Sequence, residues 1–340
     1  MEKIKVLHVG CGGMSWAWLK PLEGRDNVEV VALVDLNLET AKERAKEFKL
    51  EGIYVGTDLE EALEATKPDV VFDCTIPEAH EPVTLAALEA GCHVLGEKPL
   101  AHSMEAAHKL LAKASEADRI FAVTQNRRYT RTARRTRALI EEGVIGKVHT
   151  IYADFFIGAH FGGFRDVMDH VLLLDMSIHH FDLLRMLSGG LKANSVYCNE
   201  FNPASSWYQH GACADALFVM EGDLRFNYRG SWCAEGQNTS WNAAWRIYGE
   251  KGCISWDGDD ELSLERVTGD QGFVRQLEST NYEVKHPQDY EDGHDAVITE
   301  FLDAVQKGTE PETIATDNIH SLAMVFATIE SANSGQLVKL

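Results

Sequence analysis

Three ionisable side chains, Asp175, His179 and Asp182, are spaced so that one face of a helix would carry all of them. Residues at i, i+4 and i+7 share a face because an α-helix turns by about 100° per residue. Apolar residues occupy most of the remaining circumference, which is typical of a buried helix. Buried charges need partners, so the pattern predicts a site that faces a cavity.

His179 is the member of this set that is best suited to moving a proton near neutral pH. It can take the hydroxyl proton from an alcohol while hydride leaves the same carbon. We expect Asp175 to orient the imidazole or to bind a neighbouring hydroxyl group, and His180, about 140° away around the helix, to be structural. The alternative for His179 is a satisfied core histidine. Zinc is disfavoured because no third ligand follows at a recognisable spacing, so we predict no metal.

A glycine-rich turn, Gly10, Gly12 and Gly13 with Met14 and Ser15, directly follows an alternating apolar strand. Glycine permits a tight turn and the close approach of the backbone to a pyrophosphate, and a following helix supplies oriented N–H groups. The pattern departs from G-x-G-x-x-G at its last position, where Ser15 is still small. The turn predicts a dinucleotide site that includes the three glycines and Met14.

Asp35 ends the second predicted strand, 25 residues after Gly10. A carboxylate there accepts hydrogen bonds from the adenosine ribose hydroxyls. Leu36 and Asn37 follow, with no Arg to receive a 2′-phosphate, so we predict NAD rather than NADP. A glycine turn and a helix-capping Asp that bind no ligand are the alternative.

Lys98 follows another predicted strand, in the segment Glu97-Lys98-Pro99. At the carboxyl end of a parallel strand, its ammonium group is placed to polarise a reacting oxygen. Glu97 is either salt-bridged or adjacent to the nicotinamide, and the sequence leaves both open.

Strand-like and helix-like runs alternate through about residue 125, which predicts βαβ units and a parallel sheet. The predicted strands are 4–9, 28–34, 69–75, 93–96 and 120–124, and the predicted helices include 38–48 and 82–90. From about residue 147 the pattern changes to one helical block and a series of period-two strands, which indicates an open, mainly antiparallel sheet. These are a helix at 171–187, strands at 195–201, 213–220, 224–233 and 244–256, and tail helices at 292–306 and 318–334.

We therefore predict an α/β chain of two domains, since about 100 to 200 residues per domain is usual. Residues 1–125 form a Rossmann domain with a doubly wound parallel sheet, and residues 126–340 form an α/β domain for substrate binding and oligomerisation.

Composition narrows the class of protein. The 340 residues carry a formal charge of -21, which repels phosphate backbones and makes nucleic acid an unsuitable partner. No stretch approaches the roughly 18 uninterrupted apolar residues of a membrane span, and the first strand leaves no room for a signal peptide. The seven cysteines form no C-x-x-C pair. We expect a soluble cytoplasmic protein with reduced thiols and no membrane partner.

Further motifs carry a family resemblance. Thr75-Ile-Pro77-Glu-Ala-His80, Glu97-Lys98-Pro99 and Asp175-Met-Ser-Ile-His179-His-Phe-Asp182, together with the glycine turn, resemble the Gfo/Idh/MocA family, the glucose-fructose oxidoreductase and inositol dehydrogenase group. The resemblance covers the first 190 residues well and the terminal helix more loosely.

This resemblance implies hydride transfer between a secondary alcohol carbon of a sugar or polyol and the nicotinamide of NAD(P). It implies that Lys98, Asp175 and His179 form the catalytic group. It also implies that the cofactor site extends to Thr75, Pro77, His80, Glu97 and Lys98. One departure matters: the stretch Met168–Leu174 replaces the usual glycine-rich segment, so we expect an altered substrate pocket.

Several residues outside these motifs are candidate substrate contacts. Arg165 and His170 precede the catalytic helix, and Trp241 lies in a polar loop where an indole ring can stack on a sugar. We expect the other aromatic residues after position 200 to belong to the core or to a subunit interface. Arg127 is expected to be a solvated charge in a hinge turn.

Three kinds of protein are compatible with these motifs. We favour an NAD-dependent dehydrogenase; the alternatives are a glycosidase or lyase that oxidises a sugar carbon only transiently, and a non-catalytic NAD-binding regulator. Because few helices are available to cover the second sheet, we also predict a homodimer or homotetramer.

Overall fold

The computed structural model describes residues 3–284 and 291–340. Through position 126 the elements are β1 Ile4–Val9, α1 Ser15–Leu19, β2 Val28–Val34, α2 Leu38–Glu47, β3 Tyr54–Gly56, α3 Leu59–Thr66, β4 Val70–Asp73, α4 Pro77–Glu89, β5 His93–Gly96, α5 Met104–Ala117 and β6 Phe121–Val123. The later elements are α6 Arg131–Glu141, β7 Val148–Phe156, α7 Ile178–Leu187, β8 Ala193–Phe201, β9 Cys213–Met220, β10 Arg225–Ser231, β11 Ala244–Gly249, β12 Gly252–Trp256, β13 Glu261–Gly269, β14 Gln276–Glu283, α8 Gly293–Lys307, α9 Ala315–Ser334 and β15 Val338–Lys339.

The described residues divide into two compact units. The first unit contains residues 3–126 and 291–319, and the second contains residues 127–284 and 320–340. The sequence predicts one boundary, after residue 125, whereas the first unit described here extends to residue 126 and also contains the segment 291–319. A β-bridge between Ala122 and Ile314 and the backbone bond from Val123 N to Thr313 O attach this segment beside β6.

The first unit is built on a six-stranded parallel sheet with the order β3-β2-β1-β4-β5-β6. The order reverses between β1 and β4, as in a doubly wound Rossmann sheet, which confirms the predicted fold class. Side-chain caps begin its helices: Asn37 accepts from the first backbone N–H groups of α2, and Asp58 and Ser103 do the same for α3 and α5. The edge strand β3 and helix α3 were not predicted.

The second unit is built on a nine-stranded sheet with the order β14-β13-β12-β11-β7-β10-β9-β8-β15. Every neighbouring pair is antiparallel except β7 and β10, so the mainly antiparallel prediction is confirmed. Strands β7, β13, β14 and β15 were not predicted, and the run 244–256 is two strands joined by a tight turn.

The core of the second unit lies between α7 and one face of its sheet. Phe181 on α7 packs edge-on against Phe218 at 5.0 Å and Phe226 at 6.1 Å. The tryptophans at 232, 245 and 256 are also buried, so this aromatic stripe belongs to the core and not to an interface. Along β7 and β9 buried and exposed side chains alternate, which leaves the opposite face of the sheet open.

Candidate active site

The glycine turn after β1 has the backbone shape that its sequence predicts. Gly10 has a φ of +90°, and a Cβ atom there would lie 2.4 Å from the carbonyl oxygen of Cys74. Only glycine fits that position. At Gly12 and Gly13 a Cβ atom would meet no heavy atom within 4 Å. The backbone of these two residues is therefore open to the close approach of a phosphate group.

Asp35 lies against this turn. Its Oδ2 accepts a hydrogen bond from the backbone N–H of Cys11 at 2.7 Å, and its Oδ1 accepts one from the N–H of Asn37 at 2.8 Å. A carboxylate has about four acceptor positions, so lone pairs remain for ribose hydroxyls. Open glycine backbone beside a carboxylate with spare acceptor positions is an arrangement that fits a dinucleotide such as NAD.

Arg44 is a residue of this site that sequence reasoning missed. Its Nη2 donates to the Gly12 carbonyl at 2.8 Å, and its Nη1 pairs with Glu47 at 2.5 Å. The expectation that no arginine lies near the turn is therefore wrong, because α2 brings Arg44 back to it. The argument for NAD rests on the charge of Asp35 rather than on an absence of arginine.

Thr75 and His80, which the family motif assigns to the cofactor site, both contact a buried carboxylate. Asp73 at the end of β4 accepts from the Thr75 hydroxyl at 2.5 Å, lies 3.0 Å from His80 Nδ1 and accepts from the Thr84 hydroxyl at 3.3 Å. Pro77 is the first residue of α4, where its missing N–H costs nothing. Asp73 thus fixes the turn between β4 and α4, and no sequence motif had pointed to it.

Glu97 is held from three sides within the first unit. It accepts from the indole N–H of Trp18 at 2.8 Å and from the backbone N–H of Lys98 at 3.1 Å, and His294 Nε2 lies 3.6 Å away. Burial alone would raise its pKa, but the contacts with His294, Trp18 and Lys98 together hold that pKa below its ordinary value. Glu97 is therefore ionised and partnered. Lys98 follows it at the end of β5, in the first unit.

Asp175 and Arg165 come together in the second unit, as two of the predicted substrate-site residues. Arg165 Nε donates to Asp175 Oδ2 at 2.8 Å, and its Nη2 donates to Oδ1 at 3.3 Å. The guanidinium carbon also lies 4.9 Å from the ring centre of Phe161 and 4.7 Å from that of Phe164. Such cation–π contacts and the bidentate ion pair fix the position of both charged groups.

Asp182 binds an arginine and a serine. It accepts from Arg128 Nε at 2.5 Å, from Arg128 Nη2 at 2.7 Å and from the Ser321 hydroxyl at 2.8 Å, all in a buried setting. The predicted stripe assumes an α-helix from Asp175 to Asp182, whereas Leu172–Ser177, before α7, is a π-helix. A π-turn holds more residues than an α-turn, so it rotates Asp175 relative to Asp182 around the helix axis.

Trp241 belongs to a closed circuit of contacts, in which each residue contacts the next and the last is the chain neighbour of Asp175. Its ring lies 6.2 Å from that of Phe161, which contacts Arg165, and its backbone carbonyl accepts from Arg127 Nη1 at 2.5 Å. Arg127 Nη2 in turn lies 3.8 Å from the sulfur of Met176, the neighbour of Asp175 in the chain. The circuit joins charged groups to aromatic rings that are half exposed, Phe161 by 46% and Trp241 by 47%.

The two adjacent histidines of α7 differ in their surroundings. His180 is fully buried, with Nδ1 at 3.1 Å from the Tyr228 hydroxyl and Nε2 at 3.2 Å from the Trp241 carbonyl. Burial, with a smaller contribution from Arg127, lowers the pKa of His180 to about 3, so it is neutral and structural, as predicted. His179 retains 8% exposure and lies one turn after Asp175.

His170 has partners away from Asp175. Its Nδ1 donates to Glu200 Oε2 at 2.5 Å, and its Nε2 lies 3.4 Å from Asn333 Nδ2. The hydrogen bond to Glu200 raises the pKa of His170. The structure therefore brings Arg165, Asp175 and Trp241 into one cluster, whereas His170 joins β8 to α9.

Comparison with known proteins identifies relatives of the whole chain. Residues 4–125 match an oxidoreductase family with an NAD-binding Rossmann fold, GFO_IDH_MocA, and residues 137–340 match the C-terminal alpha/beta domain of the same family. The myo-inositol 2-dehydrogenase of Thermotoga maritima is 23% identical over 98% of this chain and 97% of its own. The 1,5-anhydro-D-fructose reductase of Ensifer adhaerens is 24% identical over the same shares.

A solved structure shows the same fold. An oxidoreductase from Agrobacterium radiobacter, crystallised with NAD+, L-tartaric acid and magnesium, superimposes with a TM-score of 0.88 at 18% identity, covering 99% of this chain and 98% of that one. At this identity the likeness establishes the fold alone.

Proposed function

The chain belongs to the Gfo/Idh/MocA family of NAD-binding oxidoreductases, and we propose that it moves hydride between a secondary hydroxyl carbon of a sugar, inositol or sugar derivative and NAD. One observation carries the choice of substrate: the Arg165–Asp175 pair is surrounded by half-exposed aromatic rings. A sugar ring has a polar edge of hydroxyls and an apolar face of C–H groups. Charged groups next to aromatic rings match both surfaces.

When bound, NAD supplies the hydride acceptor or donor. His179 removes the hydroxyl proton as the alcohol carbon is oxidised, and returns it in the reverse direction. Asp175, fixed by Arg165, accepts a hydrogen bond from a neighbouring hydroxyl and so orients the sugar. Lys98 polarises the reacting oxygen.

The glycine turn supports this assignment. Open backbone at Gly12 and Gly13 and the Asp35 carboxylate beside the turn support a dinucleotide site there. We include Met14 at the edge of this site, because its side chain is half exposed directly after the turn. Thr75 and His80 contact Asp73 in the neighbouring turn, and Pro77 begins α4. We keep these three residues in the proposed cofactor site, where His80 Nε2 is buried and has no hydrogen-bond partner among the described residues.

The test is a panel of sugars, inositols and sugar acids incubated with NAD, with NADH followed by absorbance and products identified by mass spectrometry. Net NADH formation that is lost in the His179→Asn variant supports the proposal. Cleavage of a glycoside without net NADH formation would contradict it and would indicate transient oxidation instead. No reaction on any member of the panel, with NAD bound, would favour a non-catalytic role.

We also propose that the chain forms a homodimer or homotetramer through the open face of the nine-stranded sheet. Tyr152, Tyr197, Leu217 and Tyr248 are exposed there, beside a depression of about 1340 Å³. A second copy related by two-fold symmetry is the commonest cover for such a face. Within the described residues no helix is long and apolar enough to cross a membrane. We keep the cytoplasm as the proposed location.

A further inference from the structure

Arg127 is a cation without an anionic partner. Its Nη1 donates to the Trp241 carbonyl and to Asn242 Oδ1, both at 2.5 Å, and its Nη2 lies 3.8 Å from the sulfur of Met176. All three acceptors are neutral. Among residues 3–284 and 291–340, no Asp or Glu oxygen lies within 4.0 Å of this guanidinium. Its Nε is buried and has no hydrogen-bond partner in that part of the chain.

In three other arginines of the second unit, the edge of the guanidinium formed by Nε and Nη2 binds a carboxylate. Arg128, Arg165 and Arg229 each present Nε and Nη2 side by side to both oxygens of one carboxylate. This side-on, bidentate arrangement is the strong geometry for an arginine and a carboxylate. In Arg127 the same Nε–Nη2 edge has only a thioether beside it.

A buried charge without a counter-ion is costly, by several kcal/mol in real proteins. Burial lowers the pKa of Arg127 to about 10, against smaller raising effects of Tyr228 and of the Asp175 carboxylate beyond 4.0 Å, so Arg127 is still charged at neutral pH. The residue belongs to the contact circuit of Asp175 and Trp241, where the proposed substrate binds. A ligand that brings one negative charge to the open edge would balance the cation.

We propose that the substrate is a sugar acid, and that Arg127 receives its carboxylate through Nε and Nη2. The proposal rests on the proposed function, because it places the substrate in the cluster of Asp175 and Trp241. A carboxylate carries the single charge that one uncompensated guanidinium balances. A phosphate monoester carries close to two negative charges, which is one more than Arg127 balances, because the nearby Arg165 is already paired with Asp175.

Met176 is the side chain that must yield. Its sulfur is a weak acceptor on an unbranched chain with several rotatable bonds, so it can be displaced by a carboxylate oxygen at small cost. The exchange replaces a weak contact with a charge-assisted hydrogen bond. Arg127, which sequence reasoning treats as a solvated hinge charge, thus becomes a specificity-determining residue.

Calorimetric binding of matched ligand pairs tests this without turnover. The NADH-loaded protein is titrated at constant ionic strength with D-glucose and D-glucuronate, D-galactose and D-galacturonate, and glucose 6-phosphate. We expect the acid of at least one pair to bind tenfold or more tightly than its neutral partner, a difference of about 1.4 kcal/mol. Glucose 6-phosphate should not show this gain in affinity over D-glucose.

Substitutions test whether Arg127 is responsible for the tighter binding of the acid. Arg127→Gln should reduce the ratio of the two dissociation constants to below about threefold. Arg229→Gln, which removes an exposed arginine already paired side-on with Asp154, should retain the ratio. Arg127→Lys keeps the positive charge but lacks the two side-by-side N–H donors of the guanidinium, so it should show an intermediate ratio. Thermal unfolding of each variant establishes that it is folded.

Equal binding of every acid and its neutral partner would overturn the proposal, as would stronger binding of the phosphate. Persistence of the preference in Arg127→Gln would overturn it too. If Arg127→Gln does not fold, the unmodified protein still tests the proposal, because it must bind an acid more tightly than the matching neutral sugar. Failure of the proposed function is seen separately, as absence of NADH formation in the substrate panel.

Discussion

Replacing Gly12 with alanine should weaken NAD binding without weakening the fold. A Cβ atom at Gly12 meets no protein atom within 4 Å, and the residue does not have a left-handed φ. The free energy of unfolding should therefore change by no more than about 0.5 kcal/mol, as for substitutions without a structural conflict. The new methyl group occupies the space through which the backbone approaches the pyrophosphate. We expect the dissociation constant for NADH to rise at least about tenfold, or 1.4 kcal/mol.

Gly10 provides the matched contrast. There the Cβ atom lies 2.4 Å from the Cys74 carbonyl oxygen, at a φ of +90°. A left-handed residue costs about 1–2 kcal/mol and overpacking a further 1–3 kcal/mol, so Gly10→Ala should lose about 2–5 kcal/mol of stability.

Denaturant unfolding and NADH fluorescence titration measure the two quantities separately. Unchanged NADH affinity in a stable Gly12→Ala protein would refute the placement of the pyrophosphate at this turn. A stable Gly10→Ala protein would refute the close packing at Cys74.

Three further predictions concern the cofactor, pH and assembly. The unmodified protein should bind NAD more tightly than NADP, because Asp35 repels a 2′-phosphate, and Asp35→Ser should narrow the ratio of the two dissociation constants; equal affinities before substitution would contradict this. Burial lowers the pKa of His8 to about 4, so only the unfolded chain takes up this proton as pH falls from 6.5, and His8 alone should lower the free energy of unfolding by about 3 kcal/mol by pH 4. His8→Gln, which keeps a donor for the Gly10 carbonyl, should show a shallower decline, and an equal decline would show that His8 is not responsible. Light scattering should give about two or four times 37.8 kDa, and Leu217→Lys on the open sheet face should reduce the mass; a monomer mass in the unmodified protein would exclude self-association.

The first sheet was predictable because its strands are long apolar runs with clear boundaries. Strands β1 and β2 have the bounds that the sequence suggests. The three residues of β6 are all apolar and buried, whereas β3 ends in a glycine and its Tyr54 and Val55 are only half-buried, so it was missed. The assignment of residues 291–319 to the first unit depends on contacts such as Ala122 with Ile314, which are distant in sequence.

In the candidate site, residue types were predictable and their partners were not. The role of Asp35 follows from its position after β2, but its bond to Cys11 follows only from the fold. Helical periodicity predicted one face for Asp175 and Asp182, and the π-helix that contains Asp175 has no sequence signal that we recognised. Arg127 was misread because its burial depends on the loop that contains Trp241.

Single-turnover hydride transfer tests the central claim most directly, once the substrate panel provides a reactive sugar. NADH formation in one turnover is measured by stopped flow in the unmodified protein, Lys98→Ala and His179→Ala, with NAD affinity measured in parallel. We predict that the rate falls about 10²-fold or more in both variants while NAD affinity stays within a few fold, since general acid–base and electrostatic contributions have this size. A near-normal rate of hydride transfer in His179→Ala would contradict the account.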